Sequence, residues 1–133
     1  MLYVVQNGFN MVAPIPAEDI VYCCSSVQKI IDYQLDFVFT NGHAVDRFTT
    51  QFSTQDVYNL DSLLDWNAIR AKYWRDTNDL DMKRRKEAEF LVLGDIPSDA
   101  VLGYVVCNQK SKDRLIEFGA NPSLVYIRAD YYF

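Results

Sequence analysis

The sequence holds one histidine, His43, among 133 residues. That scarcity, with no clustered ligand spacing elsewhere, excludes an ordinary zinc centre, and no metal is expected. No Ser-His-Asp or Cys-His arrangement can be built around it. The five glycines, Gly8, Gly42, Gly94, Gly103 and Gly119, are scattered, which excludes a phosphate-cradling glycine loop. Three cysteines, Cys23, Cys24 and Cys107, form no Cys-x-x-Cys pair. Buried thiols in a reducing cytoplasm are the simplest reading, so the expected location is cytoplasmic. No apolar run approaches the roughly 20 residues a bilayer demands, and no signal peptide is visible, so no membrane association is expected.

What is present is apolar and aromatic. Half of the chain is hydrophobic, with eight Phe, nine Tyr and two Trp. That suits a sheet-rich fold able to bury a core. The length predicts a single domain over 1–133. The formal net charge of −5 argues against a generally basic nucleic-acid binder. The charge is uneven, however. Residues 70–86 carry seven of the thirteen Lys and Arg against three Asp. A local basic patch on an acidic body can guide one phosphate-bearing ligand.

Hydrophobic patterning predicts α+β organisation, because strands and helices do not alternate regularly. Strands are expected over Leu2–Val5, Asp19–Cys24, Phe37–Thr40, Ala88–Leu93, Ala100–Cys107 and Ser123–Phe133. Asn7-Gly8 reads as a turn. A helix after Ser25-Ser26 puts Val27, Ile30, Ile31 and Gln34 on one face. Asp65 can cap a helix carrying Trp66, Ile69 and Tyr73. Lys83–Glu87 is either a solvated turn or a ligand-facing loop. Gln109–Phe118 reads as an amphipathic helix with Leu115, Ile116 and Phe118 inward, stopped by Gly119.

The most informative segment is Lys83-Arg84-Arg85-Lys86-Glu87-Ala88-Glu89, which sets a basic run against a carboxylate opening an apolar strand. A carboxylate at the mouth of a strand is held rigidly. It suits chemistry on a sugar carbon, where positive charge develops beside a fixed negative group. The plainer reading makes Glu89 an ion-pair partner of Arg84 or Arg85. His43 either holds a loop carbonyl or donates and relays a proton. Trp74 reads as core in preference to a ring that stacks on a base. Arg75, Arg84 and Arg85 are candidate phosphate contacts or a solvated face. Arg128 either reaches the same groove or pairs with Asp130.

Several stretches, in this order and spacing, resemble the DarT family of DNA ADP-ribosyltransferases. They are Phe37-Val38-Phe39-Thr40-Asn41-Gly42-His43-Ala44, Asp65-Trp66, Tyr73-Trp74-Arg75-Asp76, Arg84-Arg85-Lys86-Glu87-Ala88-Glu89-Phe90-Leu91-Val92, and the ending Arg128-Ala129-Asp130-Tyr131-Tyr132-Phe133. The resemblance implies an ADP-ribosyltransferase-like α+β fold of mixed and antiparallel sheets with flanking helices. It implies transfer of ADP-ribose from NAD to a base in single-stranded DNA, as the toxin of a pair whose antitoxin is a macrodomain. Glu89 then falls on the catalytic glutamate, with His43 auxiliary and Arg75, Arg84, Arg85 and Arg128 facing DNA. The family's domain extends upstream of the point matching Met1. The chain is therefore expected to be the C-terminal, catalytic-side two-thirds of that domain, as a fragment or a naturally shortened relative, and to bind NAD weakly or not at all. The rival expectations are a non-catalytic module that binds nucleic acid or a partner protein, and an RNA-directed transferase of the same superfamily.

Overall fold

The computed structural model describes residues 2–8, 10–74 and 76–132. Along the chain the order is α1 (Leu2–Asn7), β1 (Tyr22–Cys24), α2 (Val27–Asp32), β2 (Phe37–Thr40), β3 (Gln51–Phe52), α3 (Leu60–Leu63), α4 (Trp66–Arg70), α5 (Met82–Lys86), β4 (Phe90–Val92), β5 (Gly103–Val106), α6 (Gln109–Glu117) and β6 (Val125–Ile127), with short 3₁₀ turns between. Two compact units form, one from residues 1–29 and 97–133, the other from residues 30–96. The chain passes between them within α2.

The first unit carries a sheet ordered β1-β5-β6. β1 pairs antiparallel with β5, and β5 pairs parallel with β6. Val105, Cys107 and Tyr132 are buried there, with Ala17, Ile20, Tyr22 and Cys24 packed against them. The Tyr132 hydroxyl reaches the Val105 carbonyl at 2.7 Å and the Ile20 carbonyl at 3.0 Å. Burial pushes that phenol up to about 12. Helix α6 starts where Asn108 accepts the Ser111 N–H at 2.9 Å. It stops at Gly119, whose φ of +99° few other residues tolerate.

The second unit carries an antiparallel sheet ordered β3-β2-β4. Its centre is aromatic. Phe37 stacks on Phe90 at 4.6 Å between ring centroids, and Phe39 on Phe52 at 5.1 Å. Phe39 is 0 % exposed and Thr40 equally so. Helix α4 begins at Asp65, which accepts the Ala68 N–H at 3.0 Å as its spacing predicts.

Five expectations are corrected. The strand expected over Leu2–Val5 is part of a helix, Leu2–Asn7, which Gly8 follows at φ +75° as a helix stop. The last strand covers only Val125–Ile127, because its partner β5 ends at Val106 and Arg128 then enters a 3₁₀ turn. Phe118 is 79 % exposed at the C-cap of α6, and Tyr73, beyond the end of α4, is 71 % exposed. Cys107 alone is a buried thiol; Cys24 is half-buried and Cys23 exposed.

Because Phe39 is enclosed by aromatic neighbours, Phe39→Ala should cost about 3–5 kcal/mol of stability. Urea unfolding followed by circular dichroism checks this.

Candidate active site

Thr40 ends β2 and sets the position of Glu89. The Thr40 N–H donates to the Glu89 carbonyl at 2.9 Å. The Glu89 N–H donates to the Thr40 hydroxyl at 3.0 Å, and that hydroxyl donates to the Gly42 carbonyl at 2.6 Å. The backbone of Glu89 is therefore held from two sides, one residue before β4. Sequence reasoning missed this part played by Thr40. The available signal was a threonine closing an apolar strand just before Asn-Gly.

The β2–β3 loop brings His43 to Glu89. Its ends are tied by Asn41 N–H to the Thr50 carbonyl at 3.2 Å and by Thr50 N–H to Asn41 Oδ1 at 2.9 Å. His43 Nδ1 lies 2.9 Å from Glu89 Oε1, and the Ala44 N–H donates to the same oxygen at 3.3 Å. A carboxylate only accepts, so Nδ1 carries a proton and donates; in the neutral form of the ring this leaves Nε2 as an acceptor. The His43 hydrogen bond, helped by the Ala44 N–H, holds the Glu89 carboxyl below its ordinary range, while partial burial pushes the other way. Glu89 is thus an anion at neutral pH. Its side chain is one-third exposed and that of His43 about half. This pairing with His43 replaces the ion pair with Arg84 or Arg85 considered above.

The basic run folds onto carboxylates. Arg84 Nε and Nη2 each donate to Asp81 at 2.7 Å. Arg85 donates to Asp65 at 2.8 Å, to Asp81 at 3.1 Å and to Asp79. Lys86 donates to the Ile69 and Ala71 carbonyls and lies over the Trp74 ring. Trp74 is 42 % exposed rather than core. It lines an open groove of about 310 Å³ with Asp76, Thr77, Asp79, Leu80 and Lys83. Arg128 lies in the other unit and pairs with Asp130 at 2.8 Å. Arg75 falls outside the described residues. Among the described residues, no three His, Cys, Asp or Glu side chains come together as metal ligands, and no helix is long and apolar enough to cross a membrane.

A family model described as "ssDNA thymidine ADP-ribosyltransferase, DarT" matches residues 1–133. The chain belongs to the DarT family. It is 31 % identical over 138 residues to a DNA ADP-ribosyl transferase of Thermus sp. (strain 2.9), a match that covers all of this chain and 63 % of that relative. The structure of Thermus sp. 2.9 DarT in complex with NAD+ superposes with a TM-score of 0.84 at 29 % identity, over 99 % of this chain and 66 % of that one. The same DarT in complex with ADP-ribosylated ssDNA also gives 0.84 at 29 % identity, over 99 % of this chain and 63 % of that one. The fold is therefore an ADP-ribosyltransferase fold. The chain spans a little under two-thirds of the length of these DarT relatives.

The carboxylate cluster around Arg84 and Arg85 has a pH signature. The Arg84 guanidinium holds the Asp81 carboxyl at about 2, below its ordinary 3.8. A carboxyl depressed by folding stabilises the fold above its unfolded value and loses that contribution as pH falls through the folded one. The stability margin of the parent over Asp81→Asn should therefore be complete at neutral pH and vanish between pH 3.8 and about 2. The margin itself is modest, because Asp81 is half exposed to solvent. Urea titrations of both proteins across that range test this.

Proposed function

We propose that this chain is the catalytic-side portion of a single DarT-type domain that transfers ADP-ribose from NAD to thymidine in single-stranded DNA. The observation that carries the reading is Glu89 Oε1, held by the His43 ring and the Ala44 N–H. The family membership and the neighbours bound to NAD+ and ADP-ribosylated ssDNA support it.

In this reading Glu89 is the catalytic residue and His43 its auxiliary. The bond between nicotinamide and ribose breaks, nicotinamide leaves with the electron pair, and positive charge develops on the sugar. The Glu89 carboxylate stabilises that charge more than the ground state, which accelerates the reaction. No described contact uses Glu89 Oε2, which is suited to accept from a ribose hydroxyl. A base atom of the DNA forms the new bond and sheds a proton, which His43 Nε2 accepts in this reading when the ring is neutral. The protein acts in the cytoplasm, as the toxin partner of a macrodomain antitoxin.

The DNA-facing surface is the groove beside α5. Asp76 and Asp79 in its lining disfavour a phosphate there, whereas the Trp74 ring and Leu80 favour a stacked base. Family resemblance points to Arg75, Arg84, Arg85 and Arg128 as phosphate contacts; for Arg84 the contacts around it favour another role, argued below. Arg84, Arg85 and Arg128 would have to exchange a carboxylate for a phosphate.

Incubating the chain with NAD and a thymidine-containing oligonucleotide should give an ADP-ribosylated strand, read by mass spectrometry. Single-stranded DNA binding with neither NAD binding nor transfer would favour the non-catalytic rival. Separately, Trp74→Ala should weaken DNA binding by about 1–3 kcal/mol, as expected for one lost base stack. The salt dependence should stay unchanged, since no phosphate contact is removed. Binding isotherms at several salt concentrations check both.

A further inference from the structure

Arg84 is the most enclosed of the ion-paired arginines among the described residues, with a side chain 14 % exposed against 24 % for Arg85 and 50 % for Arg128. Its surroundings belong to the His43 loop. The His43 N–H donates to the Arg84 carbonyl at 3.1 Å. The guanidinium is gripped by both oxygens of Asp81, a forked pairing that fixes its plane. That leaves Nη1 facing three acceptors, the Asn41 carbonyl, Asn41 Oδ1 and Thr49 Oγ1, each at 3.4 Å. Such contacts are individually weak, so the hold comes from fit rather than from any one bond.

Gly42 shows how close that fit is. A Cβ there would stand 2.5 Å from Arg84 Nη1, 2.7 Å from Thr49 Oγ1 and 3.0 Å from Arg84 Cγ. Its backbone φ is not in the left-handed region. The glycine is needed for space, and the arginine occupies that space. One side chain thus spans Asn41, Gly42 and Thr49, while its own main chain holds His43.

We propose that Arg84 is a positioning residue that sets His43 against Glu89, with Asp81 orienting the guanidinium and Gly42 making room for it. The proposal rests on the reading of His43 and Glu89 as the working pair. Displacing a group from its working geometry by about an ångström can cost two orders of magnitude in rate. The alternative, a direct phosphate contact by Arg84, makes different predictions.

The chain has one histidine, so its imidazole proton signals in NMR belong to His43 alone. In Arg84→Ala and Gly42→Ala those signals should move most of the way to their positions in Glu89→Ala, where the pair is absent. Asp81→Asn, which keeps the arginine, should move them the same way and covers the case in which Arg84→Ala does not fold. Arg84→Lys should rescue only in part, because an ammonium cannot fork. Ring signals unmoved in folded Arg84→Ala or Asp81→Asn, or full rescue by Arg84→Lys, would overturn the proposal. In transfer assays Arg84→Ala should lower kcat roughly tenfold to a hundredfold, with KM for DNA and the salt dependence unchanged. A normal kcat with a raised KM and a salt slope smaller by about one would instead make Arg84 a phosphate contact. Absence of transfer by the parent chain would count against the proposed function, and the ring signals would still decide the role of Arg84.

Discussion

The site depends on one buried hydroxyl. Thr40 has no exposed surface, and its side chain joins the Glu89 N–H to the Gly42 carbonyl. Two chain segments 49 residues apart are thereby tied at the end of a sheet. A buried polar group that loses its partners costs more than an ordinary hydrogen bond gains, so this arrangement resists slipping. The stacked rings of Phe37, Phe39, Phe52 and Phe90 lie along the same strands and supply the rigid floor. Glu89 is therefore tied by its backbone to the end of the aromatic sheet, while His43 comes from a loop that must be held in place.

Electrostatics divides the basic run by role. Four consecutive cations, Lys83 to Lys86, look from sequence like one patch. In the fold, Arg84 and Arg85 are turned onto Asp65, Asp79 and Asp81, and Lys86 onto backbone carbonyls. Lys83 lines the groove beside Trp74. Much of the apparent positive patch is thus internal scaffolding for the segment leading to Glu89. This reconciles a short basic stretch with a net charge of −5.

Local signals carried well where a single residue decides the geometry. The cap at Asp65, the stop at Gly119 and the strand opening after Glu89 follow from side-chain chemistry confined to a few neighbours. The pairing of His43 with Glu89 was reachable only by family resemblance, because 46 residues separate them. Readings that required knowing a partner failed. Leu2–Asn7 has strand-like side chains but folds as helix, and Val125–Ile127 ends where its neighbour ends. Trp74 looked like core because tryptophan usually is, yet its ring lies half-open beneath Lys86. The carboxylates that claim Arg84 and Arg85 lie three to twenty residues away in sequence, and composition over a window does not say which cation each of them pairs with.

The central claim is that the charge on Glu89 drives the chemistry. Glu89→Gln keeps the size of the side chain and an oxygen able to accept from Ala44, and removes the charge. The account predicts that single-turnover transfer to single-stranded DNA falls roughly a hundredfold or more, equivalent to at least about 2–4 kcal/mol in barrier. NAD affinity and thermal stability should stay close to those of the parent. Transfer by the Gln variant at near the parent rate would contradict the account and reduce Glu89 to a structural partner of His43.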